Sequence, residues 1–162
     1  MDIIDRLNGD HRTLKQFLAV MNEEGASDVA RRRSLSHFKR LYYAHSVAEE
    51  MVVYNALEGR MPQWNDLAHI GHAEHNVATE LLTRLSEAGE EPAEDWDHDA
   101  RLLEEIVCGH IDDEEAEMVP AVQEFFGSAD RASMIDRYDR AKKIALTDLS
   151  EDPAAQTASA SS

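Results

Sequence analysis

The sequence predicts an all-α protein, an antiparallel up-and-down four-helix bundle followed by a short C-terminal helix and a disordered tail. Three observations carry that prediction. Apolar residues recur at three- and four-residue intervals through four long segments. Glycine is scarce, 7 in 162 residues, while Ala, Leu, Glu and Arg dominate. The breaks between segments are short and hold cap or breaker residues, which favours antiparallel neighbours. A chain of this length buries a core without disulfides, so residues 1–149 are read as one domain and 150–162 as the tail.

The first helix is expected from about Ile3 to Asn22, on the stripe Ile4, Leu7, His11, Leu14, Leu18 and Met21, with Glu23-Glu24-Gly25 ending it. The second starts at the cap pair Ser27-Asp28 and runs to Glu58 before Gly59. Its inward residues read Leu35, Phe38, Leu41 or Tyr42, His45, Ala48 or Glu49, Val52 and Ala56. The third begins after Met61-Pro62 and carries Leu67, Ile70, His72 or Ala73, His75, Ala78, Leu81, Leu82 and Leu85, until Gly89-Glu-Glu-Pro92 breaks it. The fourth covers roughly Ala93 to Phe126, with Trp96, Leu103, Ile106 or Val107, His110, Glu114, Met118 and Val122 inward. Pro120 is expected to bend or interrupt it. Asp130 is placed as the cap of the short fifth helix through Leu149, and from Ser150 the composition offers nothing to bury.

Net charge is −17, which disfavours nucleic acid and anionic membranes as partners. The single Cys108 rules out an internal disulfide and a Cys-rich zinc module. It lies two residues before His110, about 200° round a helix, and reads as a small buried hydrophobe. The opening residues carry acids where a signal peptide has basic and apolar runs, and no apolar stretch approaches membrane-spanning length. A cytoplasmic protein, monomeric or weakly dimeric, is expected.

One unit occurs twice. His45-Ser-Val-Ala-Glu49 returns as His110-Ile-Asp-Asp-Glu114, and each copy is preceded by an acid-His pair, Asp10-His11 at 34 residues before His45 and Glu74-His75 at 35 before His110. His and Glu four apart share a helix face, about 6 Å apart along the axis. A lone histidine on an apolar face is ordinarily a satisfied core residue. Repetition of His11 with His75, His45 with His110 and Glu49 with Glu114 is not explained by packing, and a glutamate facing the core needs a partner or a metal. The flanking Glu50 and Glu115 turn a further 100° or so and can reach solvent or a place just behind the ligands, a solvated acidic face being the favoured reading. In antiparallel hairpins the levels of His11 and His45, and of His75 and His110, meet.

This set of residues resembles the hemerythrin-like, or HHE cation-binding, domains over roughly residues 3 to 126. The resemblance rests on Asp10-His11 with Leu14 and Leu18, His45-x-x-x-Glu49-Glu50-x-x-x-Tyr54, Glu74-His75, and His110-x-x-x-Glu114-Glu115 with Pro120. It implies two iron ions joined by an oxo or hydroxo group and by Glu49 and Glu114, although manganese or zinc suits such ligands too. With His11, His45, His75 and His110 as further ligands, a fifth histidine would leave one position open, as reversible O2 binding needs. Oxygen-carrying members place two histidines four apart on the third helix. Here His69, His72 and His75 are spaced by three, and Gly71 stands four before His75. His72 is expected as the added ligand, about 60° from His75 on the same face. Its counterpart in the first half is Asn8, so it breaks the repeat. Water or Tyr54 is the alternative, Tyr54 reading first as a core aromatic whose hydroxyl finds a partner and otherwise as a residue that hydrogen-bonds a ligand or binds the metal where a histidine is absent. His69 is expected at the rim, and His37 and His98 in solvent. The expected ligand is O2, NO or peroxide. The roles implied are a small-molecule binding protein, a redox-defence enzyme that decomposes peroxide or NO, or an iron-handling or iron-sensing domain.

Overall fold

The computed structural model describes residues 1–88 and 94–151. Among these the chain is all-helical, in five helices, with no strand. We label them α1 (Ile3–Asn22), α2 (Asp28–Glu49, continued by a π-helical turn Glu50–Tyr54 and a last turn Asn55–Leu57), α3 (Pro62–Glu87), α4 (Glu94–Asp113, a π-helical turn Glu114–Met118, then Val119–Phe125) and α5 (Ser128–Glu151).

Local chemistry sets the helix ends. The Asp2 carboxylate accepts from the Ile4 and Asp5 amides while Asp5 accepts from the Asp2 amide, a reciprocal capping box. Ser27 accepts from the Ala30 amide at the start of α2, and Pro62 sits in the first turn of α3. Gly25 at φ +82° and Gly59 at φ +75° supply the left-handed residues that let the chain reverse.

Contacts between α1 and α2 run in opposite senses. Arg31 donates to the Met21 carbonyl, Ser34 to that of Phe17, and further along Asp10 lies beside His45. The same reversal relates α3 to α4, where Trp96 donates to the Leu85 carbonyl and His75 faces His110. Between α1 and α4, Asn22 reaches Ala100 and Lys15 reaches Asp112.

The apolar core is split in two. One cluster gathers Ile3, Leu7, Val53, Leu57, Ala68, Met118, Val122 and Tyr138. The other gathers Leu14, Leu18, Phe38, Tyr42, Leu82, Leu103, Val107 and Ile111. His11, His45, Glu49, His75, His110 and Glu114 lie on the helices between these levels, a polar layer closed at both ends by hydrocarbon.

Two expectations change. The fifth helix is not short. It runs 24 residues from Ser128 to Glu151 and buries Met134, Tyr138, Ala141 and Ala145 against α1 and α2. Its stripe is thin, with two alanines among many charges, which is why composition understates it. Helix α3 also turns a different side inward in its first half. Ile70 is 55 % exposed, while Ala68 and Gly71 are buried. Pro120 does not end α4, and the interruption expected there takes the form of the π-helical turn Glu114–Met118 just before it, after which the helix restarts with the proline in its first turn. The predicted disordered tail falls, from residue 152 on, outside the described residues.

Candidate metal centre

Four of the six donors reach the centre as pairs, by the α-helical rule that places residues four apart on one face. On α2 the His45 Nε2 lies 3.4 Å from Glu49 Oε2, and on α4 the His110 Nε2 lies 3.3 Å from Glu114 Oε1. His11 from α1 puts its Nε2 3.4 Å from Glu114 Oε2, and His75 from α3 puts its Nε2 3.8 Å from Glu49 Oε2. Glu114 therefore faces His11 with one oxygen and His110 with the other. Two groups of metal-compatible donors result: His11, His45, Glu49 and Glu114, and Glu49, His75 and His110. Glu49 belongs to both.

The buried polar atoms test whether these donors fit a cation. His11 Nε2, His45 Nε2, both oxygens of Glu49 and Glu114 Oε2 are buried without a hydrogen-bond partner. Leaving one such group unmatched costs about 1–3 kcal/mol, more if charged, so this many converging on one spot calls for a shared counter-charge. His75 and His110 give a second sign. Each Nδ1 donates to a carboxylate, Glu50 Oε1 and Glu74 Oε2, both at 2.7 Å. Their Nε2 atoms nevertheless face each other at 3.0 Å. In the neutral rings these would be two lone pairs in contact, and a cation between them removes the repulsion.

The acids beside the motifs fix the rings. Glu50 and Glu115 take the less favoured of their two expected places, behind the ligands, where they accept from His75 and from His11, the latter at 3.0 Å. Glu50 is on α2 and His75 on α3, Glu115 on α4 and His11 on α1, so each pair crosses between the duplicated halves. A charge reading of one helix does not reveal such partners.

His72 stands apart from both groups. Its side chain is 39 % exposed and its Nδ1 lies 3.1 Å from Glu50 Oε1. The position nearer the centre belongs to Tyr54, buried, with its hydroxyl donating to Glu114 Oε1 at 2.6 Å. The Tyr54 ring stacks on His75 at 6.0 Å and meets His72 edge-on at 5.4 Å. Gly71 makes the room, since a Cβ there would lie 2.7 Å from Tyr54 Cζ. His69 and His98 are exposed, and His37 is exposed with its ring stacked on Phe17. Cys108 is free and partly buried.

Without a metal the cluster is a set of coupled ion pairs. Burial works against a charged His45, but Glu49 and Asp10 outweigh it and push its pKa from 6.5 to about 10. Burial likewise opposes ionised Glu49, yet His45, then His11 and His75, hold it below the usual carboxylate range. Because His45 binds its proton more tightly folded than unfolded, its contribution is complete below pH 6.5 and lost as pH rises to about 10. Glu49 has the opposite sign, its contribution being lost as pH falls below the ordinary carboxylate range. Thermal melts in chelator should therefore show a falling melting temperature between pH 6.5 and about 10. A flat profile there would count against a charged His45–Glu49 pair.

An all-helical scaffold with a buried histidine and carboxylate cluster between two apolar layers is the architecture of a helical protein suited to binding metal. Residues 2–122 match the family model of the hemerythrin HHE cation binding domain, and the chain belongs to that family. Comparison with curated proteins and with solved structures gave no match.

Proposed function

We propose that α1 to α4 form an antiparallel up-and-down bundle around a non-haem di-iron centre, and that this centre binds O2 or a related small molecule, NO or peroxide. His11 and His45 would hold one ion, His75 and His110 the other, with Glu49 and Glu114 shared. The observation that carries this reading is the convergence of five unpartnered buried donor atoms on a single polar layer. Mixed imidazole and carboxylate donors suit iron, with manganese or zinc as alternatives. Bound iron would supply the exchange of electrons with the small ligand.

The protein's own residues prepare for this. Carboxylates on Nδ1 fix three rings with Nε2 inward, and the apolar layers above and below keep water from the donors. We assign His72 of the expected ligand set to the rim, where it shares Glu50 with His75, and Tyr54 to the place nearest the second ion. Burial, and then Glu49 and Glu114, raise the Tyr54 pKa and keep the phenol protonated. A proton thus stands beside Glu114. That hydroxyl can hydrogen-bond a ligand held beside Glu114, which favours, as a second reading, a redox-defence enzyme that decomposes peroxide. No helix among the described residues is long and apolar enough to cross a membrane.

Metal analysis of the purified protein should find two iron ions per chain. Protein reduced without air and then titrated with O2 should change colour reversibly if it is a carrier. Sustained O2 evolution from added peroxide would instead identify the enzyme. Fewer than two metal equivalents under every loading condition would overturn both.

A further inference from the structure

Three of the four histidines have a carboxylate directly on Nδ1, at 3.0 Å for His11 and 2.7 Å for His75 and His110. His45 does not. Its Nδ1 is 3.5 Å from Asp10 Oδ2, too long for a good hydrogen bond, although Asp10 occupies in the first half the place of Glu74 in the second. Aspartate is one methylene shorter than glutamate. The hydroxyl of Tyr138 fills the gap, 2.7 Å from His45 Nδ1 and donating to Asp10 Oδ2 at 2.8 Å. Lys142 Nζ donates to the same carboxylate oxygen at 2.5 Å. With His45 Nε2 facing the centre, the donors run in one direction, from Nδ1–H to the tyrosine oxygen and from its O–H to Asp10. Tyr138 and Lys142 lie on α5, beyond the residues that match the family.

We propose that Tyr138 is a positioning residue that makes the two metal positions inequivalent, by holding His45 through a neutral phenol where the other three histidines are held by carboxylates. This rests on the two-metal reading above. A carboxylate on the distal nitrogen makes an imidazole a stronger donor, and losing such a partner typically costs 10- to 100-fold in metal affinity. A phenol polarises the ring less, and Lys142 draws further charge from Asp10. The position of His11 and His45 is then the one that fills second and empties first. In the repeat this difference corresponds to a single position, Asp10 in the first copy where the second has Glu74.

Cobalt(II) titration of metal-free protein, followed by visible absorption, tests the assignment. The unmodified chain should bind two equivalents in two resolved steps. Tyr138→Phe keeps the ring and its packing, and melts of the metal-free protein confirm the fold. It should weaken the second step about 10- to 100-fold and leave the first unchanged. Adding Asp10→Glu to Tyr138→Phe lets the longer carboxylate reach His45 directly and should restore the second step. Lys142→Met, at the solvent end of the chain, should tighten the second step alone. Equal weakening of both steps, no change in either, or no rescue by Asp10→Glu would overturn the role of Tyr138. Failure of the unmodified chain to bind cobalt would overturn the two-metal reading itself.

Discussion

Glu114→Ala is expected to leave the chain unable to hold two metal ions and to erase most of the rise in melting temperature that metal brings. Glu114 is the carboxylate whose oxygens face His11 at 3.4 Å and His110 at 3.3 Å, so its loss strips both positions at once. An ion present at a thousandfold over its Kd stabilises the fold by about 4 kcal/mol. For a domain of this size that is roughly 8–16 °C in melting temperature. The metal-free variant loses much less. Its main new defect is the Tyr54 hydroxyl without an acceptor, about 1–3 kcal/mol. Metal analysis with melts in the presence and absence of chelator separates the two effects. Two tightly held equivalents in the variant would show that Glu114 is a structural acid alone.

Gly71→Ala should destabilise by about 1–3 kcal/mol although it adds one methyl group to a helix. Alanine is otherwise the better helix residue. Here the new carbon meets the Tyr54 ring, which is buried, stacked on His75 and tied to Glu114, and so cannot step aside. In a Tyr54→Ala background the same methyl enters the space that the ring has left. Urea denaturation of both single variants and the double variant should therefore show a coupling of about 1–3 kcal/mol in favour of the double. Additive effects would contradict the close approach of Gly71 and Tyr54.

The contrast between these residues shows what the sequence makes legible. His45 with Glu49, and His110 with Glu114, were readable because α-helical geometry sets i and i+4 on one face, and the repeat marked both pairs. The starts of α2 and α3 were readable because Ser27 and Pro62 act on their own neighbours. Tyr54 was not. Five residues past Glu49 in a regular helix points about 140° away. The Asn55 amide bonds to the Glu50 carbonyl, five residues back, and that wider turn carries Tyr54 round to the centre and buries Val52, Val53 and Tyr54 in succession. Ile70 misled for another reason. Hydrophobic pattern rewards bulk, whereas this end of α3 needed space, and Ala68 with Gly71 supply it. Tyr138 depends on contacts 93 and 128 residues distant, which no local pattern carries.

Both π-helical turns begin on the residue at or just after the motif glutamate, at Glu50 and at Glu114. Such a turn is a helix with one residue too many, held open by its surroundings. Each turn is therefore a spare residue stored beside a donor. Dropping one of residues 51–53 would close the first turn and leave the tyrosine four residues past Glu49, on the face that carries the motif. A lineage can shorten this helix by a single codon and keep the phenol, with every histidine and glutamate of the motif left intact.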